Sequence, residues 1–137
     1  MPIKRVLIVE DNEDNRHIYE TILRHYGYDL LTAADGQDGL DAALREVPDL
    51  ILLDISLPGL SGWEIAAQLS SEQHTRDMVL VAVTAHACLE DRERARLLGF
   101  RSYMTKPVEP RRVVEEARRF IGPALPLTEP ASPILSN

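Results

Sequence analysis

Short apolar runs that end in carboxylates constrain this chain more than any other feature. Residues Val6–Val9 are followed by Glu10 and Asp11, and residues Leu50–Leu53 are followed by Asp54. Continuous apolar runs of this length are typical of strands covered on both faces of a parallel sheet. Because the carboxyl ends of parallel strands share one edge, where open α/β folds bind ligands, we expect these three carboxylates to meet there. Carboxylates so close together repel one another, so the pattern predicts a bound metal ion.

Apolar runs and helical patterns alternate along the chain, as they do in βαβ units of a parallel sheet. The predicted strands are Ile3–Val9, Asp29–Ala33, Leu50–Leu53, Val79–Val83 and Ser102–Met104. Apolar positions at helical spacing predict four helices between or after these strands. Their core-facing positions are Ile18, Ile22, Leu23 and Tyr26; Leu40, Ala43, Leu44 and Val47; Ile65, Ala66 and Leu69; and Val113, Ala117, Phe120 and Ile121. One more helix, the fourth in chain order, is predicted over Leu89–Leu98. It is mostly charged, so we expect it to be the helix least attached to the core.

Length and composition fit one domain followed by a short tail. The chain has 137 residues, of which residues 1–121 are predicted to form the domain. Residues 122–137 contain four prolines and are predicted to be a flexible tail, too short for an output domain. A formal net charge of −7 argues against a nucleic-acid partner. The absence of a signal peptide and of a membrane-spanning apolar run leads us to expect a cytoplasmic protein without a membrane partner.

Two further polar side chains follow predicted strands at the same edge of the sheet. Thr84 comes directly after the fourth strand, and Lys106 follows the fifth. Carboxylate and carbonyl oxygens are the hard ligands that Mg²⁺ prefers. A hydroxyl and an ammonium beside such a metal suit a phosphoryl group, whose oxygens need positive charge and hydrogen-bond donors.

Four short motifs, in this order and spacing, resemble the receiver domain of bacterial response regulators. They are Val6-Leu7-Ile8-Val9-Glu10-Asp11-Asn12, Leu52-Leu53-Asp54-Ile55-Ser56-Leu57-Pro58, Val83-Thr84-Ala85 and Lys106-Pro107. Each motif alone is common, but together they are specific. The resemblance covers about Ile3 to Ile121. It implies a doubly wound, flavodoxin-like α/β fold with five helices and a five-stranded parallel sheet in the order 2-1-3-4-5.

The resemblance also implies a role for each carboxylate of the predicted edge. Asp54 would be the phosphoacceptor, and it would also contact the metal. Asp11 would bind Mg²⁺ directly, and Glu10 would act mainly through metal-bound water. The backbone carbonyl of Ser56 would complete the protein ligands. The family more often has two aspartates in the acidic pair, so the longer Glu10 side chain puts the position of a metal-bound water in doubt.

Three further residues acquire roles from the same resemblance. Thr84 would donate a hydrogen bond to the phosphoryl group, and Lys106 would pair with it. The Lys106–Pro107 peptide bond is expected to be cis, although cis bonds are about 5–6% of X-Pro bonds in folded proteins. Tyr103 matches the aromatic residue that changes position with Thr84, and so alters the surface of the fourth helix, fifth strand and fifth helix.

As a function, the resemblance implies a stand-alone response regulator of a two-component phosphorelay. Its partners would be a sensor histidine kinase or histidine phosphotransferase and a downstream target protein. The chain would catalyse only its own phosphorylation and dephosphorylation at Asp54. One alternative is a degenerate receiver that binds partners without phosphorylation, which the intact set of site residues disfavours. Another is a phosphatase with an aspartyl-phosphate intermediate, but Ser56 stands where such an enzyme has its general acid.

Overall fold

The computed structural model of the protein describes residues 3–86 and 88–124. Five strands alternate with five helices along these residues. The strands are β1 (Arg5–Val9), β2 (Asp29–Ala33), β3 (Leu50–Asp54), β4 (Val79–Thr84) and β5 (Phe100–Thr105). The helices are α1 (Glu13–His25), α2 (Gly36–Glu46), α3 (Gly62–Ser71), α4 (Leu89–Leu97) and α5 (Pro110–Ile121). Each predicted strand and helix is therefore present, and the ends of the strands differ from the predicted ones by up to two residues.

The five strands form one parallel sheet in the order β2-β1-β3-β4-β5, which confirms the predicted fold. The chain moves outward from β1 to β2, returns to β3 and continues to β5, so the order reverses between β1 and β3. A reversal of this kind opens a crevice at the carboxyl ends of the two strands, which is where ligands bind in such sheets. Glu10 and Asp54 lie at this crevice.

The helices cover both faces of the sheet, and this explains the continuous apolar runs in the strands. Side chains alternate along each strand, so neighbouring residues enter different cores. In β1, Leu7 and Val9 belong to the core formed with α2, α3 and α4, whereas Val6 and Ile8 belong to the core formed with α1 and α5. All residues of β3 and β4 are buried, as expected for central strands of a covered parallel sheet.

Two details of the predicted helix faces are wrong. Ile18 and Tyr26 of the first helical pattern are both 43% exposed, and α1 instead buries Tyr19 and Leu23. A tyrosine can be buried when its ring packs and its hydroxyl stays near polar groups. The higher hydrophobicity of Ile18 therefore did not determine which face of α1 is buried. Val47 is 41% exposed because α2 ends at Glu46, and Val47 adopts a left-handed conformation with a φ of 45°.

The weak attachment predicted for the fourth helix is confirmed by its burial. Ala95 is the buried residue within α4, whereas Leu89 and Leu97 are 79% and 70% exposed. At the other end of the domain, Ala124 is buried with the α1 and α5 core, three residues beyond the end of α5. The predicted tail over residues 122–137 lies largely outside the described residues and stays a prediction. Within the described part of the chain, no helix is both long and apolar enough to cross a membrane.

Candidate functional site

Four strands deliver polar side chains to the crevice, as the sequence predicts. Glu10 follows β1, Asp54 is the last residue of β3, Thr84 is the last residue of β4, and Lys106 follows β5. Glu10, Asp54 and Thr84 are 1%, 3% and 2% exposed, so this polar group lies against the core rather than on open surface. Buried charges need partners, and their contacts therefore define the site.

The Lys106 ammonium bridges the two buried carboxylates. Its Nζ atom donates hydrogen bonds to Asp54 Oδ2 at 2.9 Å and to Glu10 Oε2 at 3.2 Å, and it lies 3.0 Å from Glu10 Oε1. The lysine is held at this place because its backbone N–H donates a hydrogen bond of 2.7 Å to the Thr84 carbonyl, which extends the pairing of β4 and β5. The Lys106–Pro107 peptide bond that follows is cis.

A backbone N–H group also holds each of the two carboxylates. The Ser56 N–H donates to Asp54 Oδ1 at 2.9 Å, and the Asn12 N–H donates to Glu10 Oε2 at 3.0 Å. Both donors lie two residues after the carboxylate that they contact, so each loop folds back on its own acid. Ser56 itself is exposed, and its side chain makes none of these contacts.

Helix α1 supports the loop of the acidic pair in two ways. The Asn12 side chain caps the helix by accepting a hydrogen bond of 2.8 Å from the Asn15 N–H. From the first turn, Arg16 Nη1 donates a hydrogen bond of 2.9 Å to the backbone carbonyl of Glu10. The sequence analysis did not single out Arg16, because an arginine four residues after Asn12 has no distinctive pattern.

A glycine lets helix α3 approach the Asp54 loop closely. A Cβ atom on Gly62 would lie 2.8 Å from Ile55 Cα and 3.1 Å from the Asp54 carbonyl oxygen, so a larger residue would push the two segments apart. The helix begins with a capping box, in which Ser61 and Glu64 each bond the other's backbone N–H. These contacts set the position of the Asp54 loop relative to α3.

The carboxylates fit a hard metal ion. Glu10, Asp11 and Asp54 each offer an oxygen, and the three oxygens lie within 4.8 Å of one another. Asp11 is exposed, so the group opens to solvent on that side. Glu10 Oε1 is buried and accepts no well-directed hydrogen bond from the described residues, although the Lys106 ammonium is near. Glu10 Oε1 and the exposed Asp11 carboxylate therefore offer oxygen atoms that can bind Mg²⁺ or its coordinated waters.

Burial and ion pairing change the protonation behaviour of the site. Burial raises the pKa of the Glu10 carboxyl, and the hydrogen bonds from Asn12 and Lys106 only partly oppose this effect. Burial alone would lower the pKa of Lys106, but its hydrogen bonds to Asp54 and Glu10 raise it overall. Lys106 therefore stays a cation beside the two buried carboxylates.

Thr84 and Tyr103 are linked through the backbone of His86. The His86 N–H donates to Thr84 Oγ1 at 3.1 Å, and the Tyr103 hydroxyl donates to the His86 carbonyl at 2.9 Å. The Arg92 guanidinium of α4 lies 5.0 Å from the centre of the Tyr103 ring. The family resemblance implied a relationship between Thr84 and Tyr103. It did not predict the connection through His86, because His86 contributes only backbone atoms to it.

Comparison with known proteins places the chain in a family. The family model described as response regulator receiver domain matches residues 6–118. The polar-differentiation response regulator DivK of Brucella ovis is 38% identical over 121 residues, which are 88% of this chain and 98% of the relative. The same description applies to the relative from Brucella suis, with the same identity and coverage.

Solved structures agree with this assignment. A CheY-like response regulator receiver domain protein from Methanospirillum hungatei has a TM-score of 0.80 and 32% identity, over 85% of this chain and 92% of the other. The receiver domain of a sensor histidine kinase from Pseudomonas aeruginosa, which has a magnesium ion in its active-site cleft, has a TM-score of 0.79 and 33% identity, over 87% of this chain and 98% of the other. With the fold, the strand-end residues and these relatives in agreement, the chain belongs to the family of response regulator receiver domains of two-component signalling.

Proposed function

We propose that Asp54 accepts a phosphoryl group from a phosphohistidine and that this reaction switches the surface formed by α4, β5 and α5. The observation that carries the proposal is the setting of Asp54. Its carboxylate is 3% exposed, Oδ1 is held by the Ser56 N–H and Oδ2 by the Lys106 ammonium. A nucleophile with both oxygens positioned loses little freedom when it reacts, which favours an in-line transfer.

In the transfer, an Asp54 carboxylate oxygen forms a bond to phosphorus while the bond from phosphorus to the histidine nitrogen breaks. The histidine nitrogen keeps the electron pair, and Asp54 becomes an acyl phosphate. Lys106 would exchange its contact with Asp54 for one with a phosphoryl oxygen, because its ammonium already lies 2.9 Å from the carboxylate. Thr84 Oγ1 accepts a hydrogen bond in the structure and retains a hydroxyl proton to donate to the phosphoryl group.

The metal ion would be Mg²⁺, held by Asp11, Asp54 and the carbonyl of Ser56, with Glu10 acting through water. When bound, it would neutralise charge on the carboxylates and on the phosphoryl oxygens. The donor set supports this choice, since all of these groups are hard oxygen ligands. The phosphodonor partner would be a sensor histidine kinase or a histidine phosphotransferase, and the reader would be a downstream target protein.

Intact-mass spectrometry after incubation with acetyl phosphate tests the proposal. We expect a single phosphoryl adduct on the wild-type chain that requires Mg²⁺ and is lost in Asp54→Asn. Asp77→Asn is the matched control, because Asp77 is exposed and precedes β4 at the opposite end of the sheet. An adduct that persists in Asp54→Asn would reject Asp54 as acceptor. Failure to form any adduct would favour a receiver that binds partners without phosphorylation.

A further inference from the structure

Positive charge is concentrated in the last third of the domain. Residues 89–121 contain nine of the 15 basic residues of the chain and six of its 22 acidic residues. The chain as a whole has a net charge of −7, so the rest of the domain is strongly acidic. This segregation places a basic surface on α4, β5 and α5, the same elements that the proposed function assigns to signalling.

Three arginines of this region lie around Phe120 and Glu116. We call Arg101, Arg112 and Arg119 the arginine strip. The guanidinium carbons of Arg101 and Arg119 lie 5.2 Å and 4.9 Å from the centre of the Phe120 ring. Arg112 and Arg119 each lie 3.7 Å from the carboxylate of Glu116. The strip therefore joins the exposed side of α5 to the edge strand β5.

The positive charge of the strip is only partly compensated. Glu116 is buried and is shared by Arg112 and Arg119, at distances longer than a hydrogen bond. Among the described residues, no carboxylate forms an ion pair with Arg101, whose guanidinium stacks on Phe120 instead. One buried carboxylate thus partly compensates two of the three exposed guanidinium groups, and the strip has an excess of positive charge.

A purely structural role explains one of these arginines but not the group. Arg119 lies in the last turn of α5, where a cation complements the helix dipole, and its guanidinium lies over the Phe120 ring. Arg101 comes from a different element and brings a second like charge to the same ring. Two like charges at one ring cost electrostatic energy in the free protein, and a bound anion would offset that cost.

We propose that the arginine strip binds a carboxylate-rich segment of the downstream target protein. This inference rests on the proposed function, because it names the chemistry of the partner that reads the α4, β5 and α5 surface. Stacking on Phe120 holds two guanidinium groups before the partner arrives, so less side-chain freedom is lost on binding. Planar guanidinium groups match carboxylates through paired hydrogen bonds, which a lysine cannot offer.

Fluorescence anisotropy with a labelled peptide tests the strip directly. The probe is a peptide of about 16 residues built from Glu and Ala, with a matched peptide in which Gln replaces every Glu. The test variant combines Arg101→Gln with Arg119→Gln. The control combines Arg24→Gln with Arg45→Gln, which removes the same charge from side chains that are 62% and 66% exposed on α1 and α2. Each protein is measured alone and after loading with beryllofluoride and Mg²⁺.

We expect the wild-type protein to bind the acidic peptide in preference to the neutral one, and more tightly after loading. The test variant should lose about tenfold in affinity, whereas the control should lose less than about twofold. Raising the salt concentration should reduce the difference, because exposed charges are screened. Circular dichroism and urea unfolding establish that both variants remain folded.

The inference is overturned if the test variant binds the acidic peptide as tightly as the wild type, or if the control loses as much affinity. Strip-dependent binding of a DNA duplex or of anionic vesicles without binding of the acidic peptide would also overturn it, in favour of another class of partner. Phosphorylation of Asp54 is measured by mass on separate portions of each protein that are incubated with acetyl phosphate and Mg²⁺. If the chain accepts a phosphoryl group but does not bind the peptide, the strip alone is rejected. If it binds the peptide through the strip but acquires no phosphoryl group from acetyl phosphate, the proposed function alone is rejected.

Discussion

Lys106 and Asp54 are joined across the sheet by an ion pair in which Nζ lies 2.9 Å from Oδ2, although 52 residues separate them in the chain. The lysine side chain is 22% exposed and that of the aspartate 4% exposed. The ammonium therefore stands where a phosphoryl group attached to Asp54 would place its oxygens. In the metal-free protein it is also the cation that offsets the repulsion between Asp54 and Glu10.

Replacement of Lys106 by methionine should destabilise the metal-free protein. The variant leaves two buried carboxylates without their ammonium, so we expect the free energy of unfolding to fall by about 1–3 kcal/mol. Mg²⁺ should stabilise the variant more than the wild type, because the carboxylates then attract the metal more strongly. Urea unfolding with EDTA or with Mg²⁺ measures both effects. Lys4→Met is the control, since it removes the same charge before β1, at the opposite end from Glu10; equal losses in the two variants would contradict the prediction.

The raised pKa of Glu10 predicts the sign of a pH effect. Because the folded pKa lies above the ordinary value of 4.5, the folded protein binds more protons than the unfolded chain in the interval between the two values. The contribution of Glu10 to the stability of the wild type is therefore highest below pH 4.5, and it is lost as the pH rises through the pKa of Glu10 in the folded protein. In EDTA, the stability of Glu10→Gln relative to the wild type should increase with pH over this interval. Urea unfolding at several acidic pH values tests this prediction. A difference in stability between the two proteins that stays constant or falls with pH would be inconsistent with burial as the cause of the raised pKa.

Thr84 and Tyr103 should be energetically coupled, because both contact the backbone of His86. Thr84→Val removes the acceptor of the His86 N–H, and Tyr103→Phe removes the donor to its carbonyl. A double-mutant cycle should give an interaction energy of at least about 0.5 kcal/mol. Thr84→Val combined with Tyr28→Phe provides a distant pair for comparison, since Tyr28 contacts Gly122 instead. We expect this second pair to be additive, and equal coupling in the two cycles would count against the His86 link.

Tyr28 should stabilise the end of α5. Its hydroxyl donates a hydrogen bond of 2.6 Å to the carbonyl of Gly122, and we expect Tyr28→Phe to cost about 1 kcal/mol. Burial raises the pKa of Tyr28 above 10.0, so this contribution should be present below pH 10 and lost as the pH rises through the folded pKa. Tyr26→Phe is the matched control, because Tyr26 is 43% exposed. Thermal unfolding measures the stability of both variants. Equal losses of stability in Tyr28→Phe and Tyr26→Phe would contradict this role of Tyr28.

The sheet and the positions of the site residues were predictable from the sequence because both depend on strand ends. A continuous apolar run has one interpretation in a doubly wound fold, and the residue after it must lie at the edge of the sheet. The run Leu50–Leu53 thus located Asp54, and Val79–Val83 located Thr84. The strand β5 was predicted too short, since Arg101 interrupts the apolar pattern although Phe100 is buried.

Contacts made by backbone atoms and by long side chains were not predictable in the same way. The Ser56 and Asn12 N–H groups hold the carboxylates because their loops turn back, and a loop's path does not follow from residue type. Glu116 is a charged residue that α5 buries against the core, and hydrophobic periodicity does not predict the burial of a charged residue. The cytoplasmic location expected from the sequence stays a prediction.

Reductive trapping of the phosphorylated protein tests the central claim most directly. After incubation with acetyl phosphate and Mg²⁺, borohydride reduces an aspartyl acyl phosphate to homoserine, and peptide mass mapping locates the converted residue. We predict conversion at position 54 and at no other acidic residue, with no conversion when Mg²⁺ is omitted. Conversion at Glu10, Asp11 or another carboxylate, or a phosphoryl adduct that borohydride does not remove, would contradict the assignment of Asp54 as phosphoacceptor.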